Sequence, residues 1–246
     1  MPKNIPSFFV PEALAEGAVI GLPEDERRHA RARRLRAGSR VRLSDAGGNI
    51  AAGTVLGLSR GACTVEIGSV ERPRAAASGG VTLFVPAIRL PRLSWLVEKA
   101  TELGAARVTV VASERAQRDR VESAARSGDR LARVAREAAK QSGQAISPAL
   151  SGPISFADAA GAAATHSGAI FLDASGEQFP SSLRGPVALW VGPEGGWSRE
   201  EAAAAEKAGW SRARLPGAVL RAETAAIAAL VLALRSIDTA DPVGGQ

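Results

Sequence analysis

The sequence predicts two domains: a small β-barrel, then an α/β domain built on a mostly parallel sheet. Short β-rich runs separated by turn signals fill residues 1–74. A seam of proline, alanine and glycine follows, and over residues 80–240 strands alternate with helical patterns. Each element can be justified in chain order.

In the first part Ala18–Leu22, Arg40–Ser44, Ile50–Leu56 and Ala62–Gly68 read as strands, with turns at Ala46-Gly47-Gly48-Asn49 and Ser59-Arg60-Gly61. In the last of these Cys63, Val65 and Ile67 share one face and Thr64 and Glu66 the other, the period-two alternation of a half-buried strand. A helical piece, Glu24 to Leu35, interrupts the strands. The seam is Glu71 to Gly80, ERPRAAASGG, with the composition of a linker.

Beyond it, Val81–Val85, Arg107–Ala112, Ala169–Asp173 and Val187–Val191 are short β-rich runs. A helix over Arg92–Leu103 has Pro91 in its first turn, spaces Leu93, Leu96, Val97, Ala100 and Leu103 along one face, and stops at Gly104. A second helix is expected over Asp129 to Ser142, and a third opens on Ser198 and Glu201, the S-x-x-E pattern of a capping box. The last, Ala222 to Ile237, is apolar on nearly every face and needs burial on more than one side, in a core or a subunit interface. The tail Thr239 to Gln246 is expected to be loose.

Composition narrows the class. Among 246 residues, 46% are hydrophobic and 23% charged, an ordinary globular balance. The single cysteine, Cys63, excludes an internal disulfide, and two histidines, His29 and His166, are too few for a histidine-rich metal centre. No metal is expected. The longest apolar run, Ala225 to Leu234, is half of what a membrane span needs, and the amino-terminal stretch lacks the apolar core of a signal peptide. A cytoplasmic protein with no membrane partner is the expectation.

The net charge of +6 points to a polyanionic partner. Arginine outnumbers lysine 27 to 4, a compositional bias that lowers the weight of any one arginine. Distribution says more: residues 1–74 carry twelve basic and eight acidic groups, a net of +4, whereas the remainder carries nineteen and seventeen. The run Arg27, Arg28, His29, Arg31, Arg33, Arg34, Arg36, Arg40 and Arg42 is the candidate surface for that polyanion, against the plainer reading of a solvated helix face; for His29 packing is an equal alternative.

No dinucleotide fingerprint, nucleoside-triphosphate loop or nucleophile elbow is present. Three other segments stand out. Gly192-Pro193-Glu194-Gly195-Gly196 follows the strand Val187–Val191, where α/β sheets bind ligands, though its residues suit a plain turn equally. Leu215-Pro216-Gly217-Ala218-Val219-Leu220-Arg221 runs into the apolar helix; Glu223 and Thr224 fit the dipole and capping there, but Arg221 opposes the dipole and so suggests an anionic contact. Glu98 and Glu102 share one face of the Arg92–Leu103 helix, as solvated residues would.

The segments EKATELG, AAKQSGQ, WVGPEGGWSREE and LPGAVLRAETA, in this order, resemble the RsmE-type family of 16S ribosomal RNA uridine-N3 methyltransferases of the SPOUT class. Phe8-Phe9-Val10 and His29 followed by ARARRLRAGSRV resemble that family's PUA-like RNA-binding domain. The resemblance implies a PUA-like barrel over 1–74, a SPOUT methyltransferase domain with a carboxy-terminal trefoil knot over 80–240, a homodimer, and 16S rRNA in the small ribosomal subunit as partner. It also implies S-adenosylmethionine as methyl donor, held by Leu172, Val191, Gly192, Pro193, Glu194, Gly195, Gly196, Leu215, Pro216, Gly217, Val219 and Leu220. Arg221, Glu223 and Glu194 are then the catalytic candidates, Arg221 also touching RNA and the two carboxylates standing as possible bases. Pro216 and Ala218 replace the family's usual glycine and arginine, Gln144 a common arginine, and Ala222 a common threonine. These departures keep two alternatives open: a non-catalytic RNA-binding or ribosome-assembly factor of the same fold, and a SPOUT enzyme acting on another RNA.

Overall fold

The protein is described here by a computed structural model that covers residues 5–45, 47–71, 80–144 and 146–237. Most of the seam, residue 46 of the first turn and the tail from 239 lie outside the described residues. The chain divides into two compact units, Met1–Ala75 with Ala139–Ile146, and Ala76–Ala138 with Ser147–Gln246.

The first unit holds β1 (Ser7–Val10), β2 (Val19–Gly21), α1 (Glu24–Ala32), β3 (Arg40–Asp45), β4 (Ile50–Leu58) and β5 (Cys63–Glu71). They form one sheet in the order β1-β3-β4-β5-β2, with β1 parallel to β3 and the other pairs antiparallel. Its ladders do not join β1 to β2 among the described residues, so the expected barrel is a five-stranded sheet whose two ends stay unpaired. The period-two reading of β5 holds: Cys63, Val65 and Ile67 are buried with Phe8, Val41, Leu43 and Val55. Burial pushes the Cys63 thiol pKa up, against the opposing charge of Arg27. The helix α1 ends three residues before the expected Leu35. Arg34 takes a positive φ of 55°, and Leu35 turns back to pack on the core with its N–H on the Ala30 carbonyl.

The second unit runs β6 (Val81–Pro86), α2 (Leu90–Glu102), β7 (Arg107–Ala112), α3 (Arg118–Ala125), α4 (Gly128–Ser142), whose last residues fall in the first unit, β8 (Ala149–Ser155), α5 (Phe156–Gly161), β9 (Gly168–Gln178), β10 (Val187–Val191), α6 (Arg199–Lys207), β11 (Ser211–Arg214) and α7 (Ala222–Ile237). Its six strands are all parallel, in the order β11-β9-β10-β6-β7-β8. Every residue of β6 and β10 is buried, because helices cover both faces. Val81, Leu83, Val85, Val187, Leu189 and Val191 face α2 and α7, while Phe84, Ala188 and Trp190 face the opposite core with Trp210 and Ala205.

The sequence expectations hold for β6, β7, β10 and α7, and the capping box of α6 forms as expected, with Ser198 and Glu201 bonding each other's backbone N–H. Glu98 and Glu102 are not simply solvated: Lys99 Nζ lies 2.8 Å from one and 2.7 Å from the other. The strands β1, β8 and β11 and the helices α3 and α5 were not legible. β8 contains Gly152-Pro153, which reads as a turn but is tolerated in an edge strand. β11 reads SRAR, too polar for a core strand, and also lies at an edge.

Leu230 on α7 is fully buried. Leu230→Ala should therefore lower stability by about 2–5 kcal/mol in urea unfolding, through lost burial and the cavity left behind. A loss below about 1 kcal/mol would mean that α7 is not anchored in this core.

Candidate functional site

Parallel strands put all their carboxyl ends on one edge of the sheet, and the second unit gathers its glycine-rich loops there. Val191 ends β10 directly beside Leu172 of β9. The chain then turns at Gly192, over which the Trp197 indole lies. A Cβ at Gly192 would fall 2.7 Å from Trp197 Nε1 and 2.8 Å from its Cε2, closer than real atoms pack. Trp197 Nε1 donates to the Leu172 carbonyl at 2.8 Å, and its ring meets Trp190 edge-on with centroids 5.0 Å apart. One indole thus joins Leu172, where the ladder of β9 with β10 stops, to the loop between β10 and α6.

Opposite this loop the segment 215–221 leads into α7, with Gly217 at φ 92°, a left-handed conformation that favours glycine. The Arg221 carbonyl accepts the N–H of Ala225, so Arg221 is the residue that opens the helix. Between the two loops lies a cavity of about 1250 Å³. Leu172, Val191, Gly192, Pro193, Glu194, Gly196, Leu215, Pro216, Gly217, Val219, Leu220 and Arg221 all line it. Of the donor residues the sequence suggested, Gly195 does not; its carbonyl instead accepts Arg115 Nη1 at 2.6 Å. The cavity walls also include residues the sequence reading missed, among them Asp173, Gln178, Trp197, Arg214 and Arg235. Trp197 could have been found, since it directly follows the glycine-rich run.

The carboxylates sit differently from a free base. Glu194 Oε1 is 2.7 Å from Arg92 Nη1, and its Oε2 is 3.3 Å from Arg120 Nη1. Partial burial pushes the Glu194 pKa up, but the hydrogen bonds and charges of Arg120 and Arg92 outweigh it and hold the carboxyl below the ordinary glutamate range. That pairing makes it a weaker base than a free glutamate. Glu223 is buried in the first turn of α7, with Oε1 3.6 Å from Arg92 Nε and Oε2 without a hydrogen-bond partner. Glu223 does not line the cavity, whereas Arg221 does, and no carboxylate pairs with Arg221 among the described residues.

In the first unit, Arg28, Arg31, Arg33, Arg34, Arg36 and Arg40 are exposed, and Arg27, His29 and Arg42 are half-buried. Several are committed to the fold: Arg27 Nη1 donates to the Gly61 carbonyl at 2.6 Å, Arg31 Nη1 to the Arg60 carbonyl at 3.1 Å, and Arg28 pairs with Asp25. His29 packs edge-on against Phe8, with ring centroids 5.3 Å apart, and accepts from Arg33 Nε at 3.3 Å. Among the described residues no cluster of histidine, cysteine, aspartate or glutamate could hold a metal ion, and no helix is long and apolar enough to cross a membrane.

The family model of the RNA methyltransferase domain matches residues 76–234, and that of the RNA methyltransferase PUA domain matches residues 22–68. Among solved structures, the chain is similar to a ribosomal RNA small subunit methyltransferase E from Neisseria gonorrhoeae bound to S-adenosyl methionine. That match has 26% identity and a TM-score of 0.82, and covers 93% of this chain and 96% of the other. A probable rRNA-methyltransferase from Porphyromonas gingivalis matches at 27% identity and a TM-score of 0.79, covering 92% and 96%. The fold is accordingly a PUA-like unit joined to a SPOUT methyltransferase domain of the RsmE type.

Two outcomes follow from the geometry. Gly192→Ala should displace the Trp197 ring from the Leu172 carbonyl, seen as a changed Trp197 indole resonance with the far-ultraviolet circular dichroism unchanged. An unaltered indole would contradict the close packing. Because the folded pKa of Glu194 is lowered, its contribution to stability is present above the unfolded glutamate value, about 4.3, and is lost as pH falls through the folded value. The stability difference between the native chain and Glu194→Gln should therefore be flat above about pH 5 and shrink below it. A difference that grows on acidification would have the wrong sign.

Proposed function

We propose, from the premise that the chain belongs to the RNA methyltransferase family, that it transfers a methyl group from S-adenosylmethionine to N3 of a uridine in 16S ribosomal RNA. The observation that carries this reading is the cavity at the carboxyl ends of β9 and β10, walled by the 192–196 and 215–221 loops. Its lining suits the donor. Leu172, Val191, Pro193, Leu215 and Leu220 offer apolar surface for an adenine ring, and Gly196 and Gly217 leave open space where a side chain would stand, so the donor can approach the backbone. Val219 is 92% exposed, an apolar side chain at the cavity mouth that a bound RNA base would cover.

The sulfonium of the donor supplies an already activated methyl group, so the chain needs no metal. N3 of uracil forms the new bond to carbon, the sulfur–carbon bond breaks with its electron pair left on sulfur, and the N3 proton passes to water. The protein's part is to hold N3 in line with that methyl and to favour the charge that develops on the uracil carbonyls. Arg221, which lines the cavity and has no carboxylate partner among the described residues, takes that part in this reading. Glu194, tied to two arginines, serves the loop rather than proton removal. Glu223, buried outside the cavity lining and facing Arg92, is likewise not placed to take the N3 proton, which leaves water as the acceptor. The exposed arginines of α1 and the turn after it supply phosphate contacts in this reading. A threaded trefoil path for the carboxy-terminal segment, a homodimer through the exposed side of α7 around Val231, and a cytoplasmic location belong to the same proposal.

The test is transfer of labelled methyl from S-adenosylmethionine to unmodified small ribosomal subunits and to naked 16S RNA, followed by nucleoside digestion. Label in 3-methyluridine at one site supports the reading, and label in another nucleoside or none in either substrate overturns it. Arg221→Ala should lower turnover at least tenfold with donor affinity nearly unchanged; an equal loss of donor binding would remove Arg221 from the transfer step. Reversing the charges of Arg28, Arg33 and Arg36 should flatten the salt dependence of RNA binding by about three phosphate contacts. An unchanged slope would leave those arginines solvated.

A further inference from the structure

Arg92 does not line the cavity, yet it pairs with Glu194 in one wall and faces Glu223, two residues beyond Arg221 of the other. It is the third residue of α2, directly after Pro91, and it faces two carboxylates. Its Nη1 reaches Glu194 of the 192–196 loop at 2.7 Å, and its Nε faces Glu223 of the first turn of α7 at 3.6 Å. The two carboxylates are 29 positions apart in the chain; Glu194 lines the cavity, and Glu223 lies just past Arg221 and Ala222, which line it too. A guanidinium is the side chain suited to this, because its planar fork presents donors on several edges at fixed angles. A lysine ammonium bridges only carboxylates that converge on one nitrogen, as Lys99 does, whereas Glu194 and Glu223 meet different nitrogens of Arg92, Nη1 and Nε.

The 192–196 loop has two further tethers, Arg120 on Glu194 Oε2 and Arg115 on the Gly195 carbonyl, so its own conformation does not depend on Arg92 alone. The α7 side has no such redundancy among the described residues. Glu223 is buried, its Oε2 meets no hydrogen-bond donor, and Arg92 supplies the cation that faces its other oxygen. A buried carboxylate with one cationic partner makes that partner hard to replace.

We infer that Arg92 is the positioning residue of this site, a bridge that ties the Glu194 loop to the Glu223 turn and so sets the spacing of the two walls that grip the methyl donor. The inference rests on the proposed use of S-adenosylmethionine. Arg92 acts through Glu194 and Glu223, and touches neither donor nor RNA.

Donor binding to the full-length chain, measured by titration calorimetry with S-adenosylmethionine, separates this role from a merely structural one. Arg92→Met should weaken donor binding about tenfold and raise the donor KM in parallel, while the KM for RNA stays within twofold of the native value. Arg92→Lys should keep one partner and lose the other: its binding should still respond to Glu194→Gln but no longer to Glu223→Gln. In the native background both substitutions should matter, and combining Glu223→Gln with Arg92→Met should cause no further loss, whereas Glu194→Gln there still removes the Arg120 tether. Native-like donor affinity in Arg92→Met, or fully additive losses on combining it with Glu223→Gln, would overturn the bridge. Should Arg92→Met fail to fold, the Arg92→Lys pair of comparisons decides alone. Failure of the native chain to bind S-adenosylmethionine would sink the proposed function instead, which keeps the two outcomes apart.

Discussion

The site depends on one constraint, the burial of β10 on both faces between β9 and β6. With Val187 to Val191 wholly enclosed, the strand cannot shift along its neighbours without exposing apolar side chains or unpairing its ladder. Its carboxyl end is therefore a fixed point. Leu172 ends its run beside it, and the Trp197 indole locks onto the Leu172 carbonyl above Gly192. A glycine-rich loop would otherwise be the least ordered part of the molecule. Here it is held by one aromatic ring that is itself packed among Phe171 and Trp190.

Charge then shapes what packing leaves open. Isolated ion pairs near the surface contribute at most about 1 kcal/mol, so none of the arginines around Glu194 holds the loop by strength alone. Their effect is geometric: Arg92, Arg115 and Arg120 approach one loop from α2, from the segment after β7 and from α3. The same arrangement explains why a glutamate in a glycine-rich loop is a poor proton acceptor. The surrounding cations that order it also keep its proton affinity low. Arg221, by contrast, stands at the cavity wall with no carboxylate partner among the described residues.

How much of this was legible in the sequence follows from where each element lies in its sheet. β6, β7 and β10 are interior strands whose faces meet cores, and their valine- and leucine-rich runs announced them. β8 and β11 are edge strands, where one side of the ladder is free and polar residues, glycine or proline suffice; SRAR and the Gly-Pro within β8 gave no strand signal. The loops at the site were visible because glycine, proline and charge cluster there. What periodicity could not supply was long-range pairing. Arg92 and Glu194 are 102 positions apart, and nothing in the local pattern of LPRLSW distinguishes Arg92 from a solvated first-turn residue. The run of arginines in α1 shows the reverse: it stood out in the sequence, yet Arg27 and Arg31 prove to be bonded to backbone carbonyls of the turn at Arg60 and Gly61.

The account stands or falls on whether the cavity beside Trp197 receives the methyl donor. The chain has four tryptophans, of which Trp197 lines the cavity and Trp95 lies exposed on α2 outside it. Titrating S-adenosylmethionine into nitrogen-15-labelled protein and following the four indole resonances measures this directly. Saturable movement of the Trp197 resonance, with that of Trp95 unmoved, is the predicted result. Binding that leaves Trp197 in place would put the donor somewhere else and contradict the site.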